Sequence, residues 1–168
     1  MIGSVVSVNI SKNKGERKKP VNQVWELVEG CGLKTDGHAN LIPHAQNENS
    51  HRQVSLLAEE SIEKMRQVGL DVKAGDFAEN ITTSGISLLS LKVGDQLKIG
   101  NEVLLKISQI GKVCHNRCAI YYQAGDCVMP KEGIFAEVIR GGKIMVGDVV
   151  CALGANYIDH TPGINCPQ

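Results

Sequence analysis

The strongest constraint on how this chain folds is the recurrence of short apolar alternations closed off by glycine, aspartate or asparagine. Alternation puts successive side chains on opposite faces of a strand, and turn residues cut it after a few positions. Ile2 to Ser11 alternates, Lys12-Asn13-Lys14-Gly15 is turn-rich, and Gln23 to Val28 alternates again, so these two runs are expected to pair as a hairpin. Gln53 to Leu57 reads as a short strand, with Ser55 or a neighbour placed to start a helix carrying Glu59, Glu60, Ile62, Met65 and Val68, which Gly69 ends. Phe77 to Thr83 reads as a strand, as do Gln96 to Ile99 and Val103 to Ile110. Gly133 to Arg140 runs into Gly141-Gly142, a hairpin signal, followed by Lys143 to Val146. Gly94-Asp95 and Gly147-Asp148 are each expected to form a turn feeding a strand. The sum is a mainly β chain, a barrel or sandwich with one or two peripheral helices.

With 168 residues and 42% hydrophobic content there is enough apolar surface for one core and too little for two ordinary domains. The 18 basic and 18 acidic side chains cancel, leaving no net field to gather nucleic acid or an anionic bilayer. Aromatics at 4% argue further against stacking platforms for single strands. The one dense basic run, Lys12 to Lys19, is expected to be a solvated hairpin loop. No apolar run approaches the roughly 20 residues of a membrane span, and Met1 to Val6 lacks the features of a signal peptide, so a cytoplasmic protein is expected. On that view Cys31, Cys114, Cys118, Cys127, Cys151 and Cys166 are thiols rather than disulfides. The segment 154–168 has prolines, glycines and no period, and is expected to be an extended appendage.

Chemistry concentrates in Cys114-His115-Asn116-Arg117-Cys118. Structural zinc would want four thiolate or imidazole ligands in closer pairs, and the chain adds only Cys127 nearby. A redox dithiol would more typically have two intervening residues within a thioredoxin-like pattern, which is absent around this pair. The third option is a single thiolate that carries sulfur or binds a soft metal. An unperturbed thiol has a pKa near ~8.5, and Lys112, Arg117 and a charged His115 would supply a field favouring the thiolate. Against it stands plain core packing, since free cysteines behave as small hydrophobes. The residues leave that choice open.

A second concentration lies in the polar stretch from Gly30 to His51, which reads as a long loop holding His38, His44 and His51. Asp36-Gly37-His38 and His51-Arg52-Gln53 could set a carboxylate, two imidazoles and a guanidinium around one pocket suited to an anion or a metal. Alternatively the loop's polar groups satisfy its own backbone. Glu79-Asn80, adjacent polar residues in an expected strand, either satisfy a loop or hold a ligand.

In order along the chain, Asp36-Gly37-His38-Ala39, Arg52-Gln53-Val54-Ser55-Leu56-Leu57, Gly75-Asp76-Phe77-Ala78-Glu79-Asn80-Ile81-Thr82, Val93-Gly94-Asp95 and Ile110-Gly111-Lys112-Val113-Cys114-His115 together resemble the MOSC domain. Gly125 to Ala136, with Gly141-Gly142 and Gly147-Asp148, continues the match, so residues 1–152 resemble the domain and 153–168 form a tail. The resemblance implies a MOSC-type β-barrel-like fold and a role tied to the molybdenum cofactor, independent of pyridoxal phosphate. It implies a cysteine, Cys114 or Cys118, that either carries sulfane sulfur or ligates the molybdenum of a bound pterin cofactor. On this resemblance Asp36, His38, Arg52, Glu79, Asn80, Lys112, His115 and Arg117 are the expected cofactor-binding residues. Partners would be cofactor-biosynthesis or sulfur-donor proteins and the small-molecule pterin, with no nucleic acid and no membrane. A sulfur carrier or transferase, a cofactor-dependent reductase component and a non-catalytic docking module with packing cysteines all fit. The Cys-x-x-x-Cys spacing resembles the bacterial stand-alone branch, while Arg117-Cys118 matches the ending seen in sulfurase and amidoxime-reducing branches. The sequence carries Thr35 where a glycine commonly precedes the Asp-x-His element, and Asn40 where one commonly follows.

Overall fold

Two turns built alike set the register of the sheet. In each Gly-Asp pair the glycine takes a positive φ, +97° at Gly94 and +94° at Gly147. The aspartate carboxylate then accepts a backbone N–H three residues back, Lys92 onto Asp95 and Met145 onto Asp148, both at 2.8 Å. Each glycine N–H bonds a neighbouring strand, Gly94 to the Ile107 carbonyl and Gly147 to the Val5 carbonyl. The expected turns are therefore present, and each delivers its chain into a strand. This computed structural model describes residues 1–14, 16–40, 42, 50–114, 119–155 and 157.

The elements in order are β1 (Ile2–Ile10), β2 (Lys19–Pro20), β3 (Trp25–Val28), β4 (Gly32–Leu33), β5 (Val54–Ala58), α1 (Glu59–Gln67) and β6 (Ile81–Ser84). They continue as β7 (Gln96–Ile99), β8 (Val103–Ile110), α2 (Ala119–Ala124), α3 (Met129–Glu132), β9 (Ile134–Arg140), β10 (Gly142–Ile144) and β11 (Val149–Leu153). Strands β11, β7, β8, β9, β5, β6 and β1 pair in that order, and β1 pairs back onto β11, closing a seven-stranded barrel. Closure removes the free edges that an open sheet would expose. The β5–β6 pairing is parallel, bridged by α1, and the other pairings of the barrel are antiparallel. Strands β10, β3 and β4 form a separate small sheet. The fold is mainly β as expected. Three helices are present among the described residues, of which α2 and α3 are short.

Alternation explains the barrel interior. Val54 and Leu56 from β5, Leu97 and Ile99 from β7, Leu105 and Ile107 from β8, and Ile134 and Ala136 from β9 are wholly buried in one cluster. Each large aliphatic side chain removed from water contributes about 1.5–3 kcal/mol. The opposite faces of β5 and β9 supply Leu57 and Phe135 to a second cluster with Ile62 and Met65 of α1, Ile120, Val128 and Met129. Strand β5 is buried at every position because it is covered on both sides.

Several sequence expectations are corrected. The run now seen as β3 does not pair with β1; β2 takes that edge, Asn9 opposite Pro20, and β3 joins β10 and β4. Gly141-Gly142 does not close a hairpin either, since β9 stays paired with β5 and β8 while β10 turns to β3. The strand placed at Phe77 begins only at Ile81: Ala78 has φ +64° and Phe77 turns into the second cluster. Helix α1 starts after Ala58 without a side-chain cap, because its N-cap position falls on an alanine while Ser55 lies inside β5 and bonds Asn80. Its first turn carries Glu59 and Glu60, which suit the positive end of the helix dipole. Gly69 does end the helix, its N–H on the Arg66 carbonyl. Cys31, Cys114 and Cys127 are not in disulfides, as expected, whereas Cys151 is disulfide-bonded, which corrects the thiol reading there. The appendage reading for 154–168 falls almost wholly outside the described residues, as does Cys166.

Candidate functional site

Asp36 anchors the site. It lies in the turn after β4, and its Oδ1 accepts the Ser11 N–H at 3.1 Å while its Oδ2 accepts the His38 N–H at 3.1 Å. The Lys18 ammonium donates to Oδ1, and both side chains are essentially out of water, 0% and 1% exposed. Burial opposes ionisation of Asp36, but the Lys18 ammonium and the Ser11 amide outweigh it and hold the carboxyl well below the usual carboxylate range. Burial pulls Lys18 down from its usual value, with Asp36 and Glu79 opposing. The basic run is therefore solvated at Lys12, Lys14 and Lys19 but not at Lys18.

The loop that holds Lys18 is closed by Gly75. Lys18 N–H donates to the Gly75 carbonyl at 2.8 Å, and a Cβ on Gly75 would sit 2.3 Å from the Lys18 carbonyl oxygen. Its φ of +89° also favours glycine.

Lys18 in turn fixes His38. Its Nζ is 3.3 Å from His38 Nδ1, whereas the Asp36 carboxylate is 3.6 Å from that nitrogen, too long for a hydrogen bond. An ammonium has hydrogens to give and no lone pair, so Nδ1 accepts and the ring proton sits on Nε2.

His38 lines a cavity of about 250 Å³ with Lys14, Asn40, Arg52, Asn80 and Lys112. Ser55, Ala78, Met129 and Phe135 complete its wall, and none of these lining residues is acidic. Arg52 and Lys112 lie over the same aromatic ring, the guanidinium carbon 5.5 Å and the ammonium 6.0 Å from the Phe135 centroid. Gln109 braces the arginine: its Oε1 accepts Arg52 Nε–H at 2.8 Å and faces His51 Nε2 at 2.9 Å, while its amide donates to the Gly111 carbonyl at 2.6 Å. A register shift in β8 between Ile107 and Gln109 turns Gln109 to that side.

Beneath the cavity runs a buried polar network. Asn80 Oδ1 accepts the Ser55 hydroxyl at 3.0 Å and the Ser55 N–H at 3.2 Å. Glu79 is wholly buried; its Oε1 accepts the Gly75 N–H at 2.5 Å and the Thr82 hydroxyl at 2.8 Å, and its Oε2 has no partner among the described residues. Burial pushes the Glu79 carboxyl up. Glu79 thus supports the loop that holds Lys18, and Asp36 supports His38; neither lines the cavity.

The expected site residues therefore divide. His38, Arg52, Asn80 and Lys112 converge on one cavity. Cys114 is exposed and lines a neighbouring one, of about 490 Å³, with Cys127, Pro130 and Lys131. Cys114 follows Lys112 by two residues, placing their Cα atoms within roughly 7 Å. His44, His115, Arg117 and Cys118 lie outside the described residues. Sequence reasoning missed Lys18, Lys14, Gln109 and Phe135. The first two were hidden in a basic run that reads as solvent-facing, and the others look like ordinary strand residues. Among the described residues no three histidine, cysteine or carboxylate side chains are placed to hold a metal. The lining suits an anion, held by Arg52, Lys112 and Lys14 with no carboxylate among them.

The closed barrel recurs in solved structures, and the sequence matches a known family. The MOSC domain model matches residues 43–151, and the chain belongs to that family. Among solved structures, the YUAD protein from Bacillus subtilis superposes with a TM-score of 0.72 at 19% identity, covering 89% of this chain and 94% of its own. YiiM from Geobacillus stearothermophilus has a TM-score of 0.62 at 19% identity, covering 90% and 75%, and YiiM from Escherichia coli 0.62 at 21%, covering 92% and 70%. No curated protein sequence matches. The family is generally linked to molybdenum-cofactor-related functions. No helix among the described residues is long and apolar enough to cross a membrane.

Proposed function

We propose that the chain binds the pterin form of the molybdenum cofactor by its phosphate, with Arg52, Lys112, Lys14 and His38 as the grip and Cys114 or Cys118 as the thiolate. The observation that carries this reading is the convergence of Arg52, Lys112 and Lys14, with His38, on one cavity without a lining carboxylate. Bound there, the cofactor would supply the redox or sulfur chemistry of its metal centre. Arg52 offers a planar fork suited to phosphate oxygens, with one edge already committed to Gln109 and its face to Phe135, so little side-chain freedom is lost on binding. His38 donates through Nε2–H, Asn80 is held by Ser55, and Phe135 and Met129 cover an apolar side of the guest. Partners on this reading are cofactor-biosynthesis or sulfur-donor proteins, which deliver the cofactor or load a thiol.

Exposure of Cys114 favours a second reading, in which the thiolate accepts sulfane sulfur as a persulfide. Incubation with a cysteine desulfurase and labelled cysteine should then label Cys114 or Cys118.

Titration with inorganic phosphate tests the grip. Arg52→Ala should weaken binding by on the order of tenfold, as loss of a charge-assisted hydrogen bond does, and rising salt should weaken it in the parent chain. Phe135→Leu should weaken it less, by releasing both cations. Molybdenum content after expression in a cofactor-producing host should fall in Cys114→Ser or Cys118→Ser with phosphate affinity unchanged. Equal phosphate affinity in the parent, Arg52→Ala and Lys112→Ala chains would remove the reading.

A further inference from the structure

Cys127 has no role in the grip or in the thiolate assignment, yet it lines the same cavity as Cys114, together with Tyr121, Pro130 and Lys131. Neither cysteine is in a disulfide. They differ in access: Cys114 is exposed, whereas Cys127 is half-buried and packs beside the second apolar cluster. Gly125, two residues before Cys127, has a φ of +72° and donates its N–H to the Tyr121 carbonyl at 2.8 Å. The Cys114 end is held toward the Cys127 end, because Gly111 N–H donates to the Gly133 carbonyl at 2.7 Å and Lys112 N–H to the Pro130 carbonyl at 3.0 Å.

We propose that Cys114 and Cys127 form a reversible dithiol–disulfide couple, addressed through this cavity by low-molecular-weight disulfides. The exposed Cys114 thiolate attacks one sulfur of the small disulfide, forming a mixed disulfide and expelling one small thiolate. Cys127 then attacks the Cys114 sulfur, forming the Cys114–Cys127 bond and expelling the second. The two protein thiols lose two electrons and two protons, and the small disulfide is reduced to two thiols. A chain oxidised in this way has no Cys114 thiolate to offer a metal or a sulfur donor, while the cations of the neighbouring cavity are untouched. Oxidation would thus switch the thiol chemistry and leave anion binding in place.

Peptide mass mapping without reduction, after incubation of the full chain with oxidised glutathione, tests this. The expected product joins Cys114 to Cys127 and reverts with dithiothreitol. Cys127→Ser should stop at a glutathione adduct on Cys114, and Cys127→Ala provides the same test with a different packing consequence. A lasting adduct on Cys114 in the parent chain, a bond from Cys114 to Cys118, or no reaction at Cys114 would each overturn the couple. Phosphate titration of the oxidised chain separates the two ideas, since the grip is expected to keep its affinity whether or not the couple exists.

Discussion

Asp36 and Lys18 are an ion pair taken almost wholly out of water, which makes each necessary to the other. Removing one partner strands a buried charge and typically costs about 3–5 kcal/mol, whereas replacing both with apolar residues of similar volume is often near neutral. Asp36→Asn should therefore lower the urea midpoint far more than the double change Asp36→Leu with Lys18→Met. A mild effect of Asp36→Asn would show that the pair carries little. Acid has the same target: the Asp36 carboxyl is depressed in the folded chain, so its stabilisation is complete above the unfolded value near ~3.9 and is lost as pH falls below it. Glu79 behaves oppositely. Its carboxyl is raised by burial, so the folded chain holds the proton more tightly and stability declines as pH rises from the unfolded value of about 4.3 through the folded one. Glu79→Gln, which cannot ionise, should flatten that decline in urea melts taken across the range; an unchanged slope would assign the decline elsewhere. The sequence pointed to Asp36, His38, Arg52, Asn80 and Lys112 through the motifs that resemble the family. It could not point to Lys18, since a lysine in a basic run looks the same whether it faces water or a buried carboxylate.

The elements around the site are loops pinned by backbone hydrogen bonds, and their strain is local. Thr35, the departure from the family's usual glycine, sits at φ +63°, in the left-handed region that β-branched residues resist. Thr35→Gly should relieve it and raise stability by about 0.5–1 kcal/mol after the entropy that glycine costs the unfolded chain. Chemical denaturation checks this, and a loss of stability would mean that the threonine side chain holds the loop. Asn40, the other departure, donates to the Ser50 carbonyl at 3.1 Å. Alternation located β1, β5, β7, β8 and β9 correctly, because a half-buried strand must alternate. It misplaced the start of β6, where Phe77 serves a second core and Ala78 adopts a left-handed turn. It also chose wrong partners for β1 and β9, since a short run of alternation names a strand but not the neighbour across its hydrogen bonds.

At the scale of the molecule, two apolar clusters share strands β5 and β9, whose side chains alternate between them. Neither cluster can lose its strands without the other, so unfolding should be a single transition. Leu56→Ala in the barrel and Leu57→Ala in the second cluster should each cost about 2–5 kcal/mol. Both should move the far-ultraviolet circular dichroism and the Trp25 fluorescence together. Transitions that separate would show the clusters to be independent. The sequence by itself determined the β character, the turns at Gly94-Asp95 and Gly147-Asp148, the helix carrying Ile62 and Met65 and the family to which the chain belongs. These follow from local rules, periodicity and turn geometry, and from motifs that survive in linear order. Only the tertiary structure decided that β1 closes onto β11, that His38, Arg52, Asn80 and Lys112 face one cavity, that Lys18 lies buried beneath it, and that Cys114 looks into a cavity shared with Cys127. Those facts depend on residues far apart in the chain meeting through packing and hydrogen bonding, which no local pattern encodes.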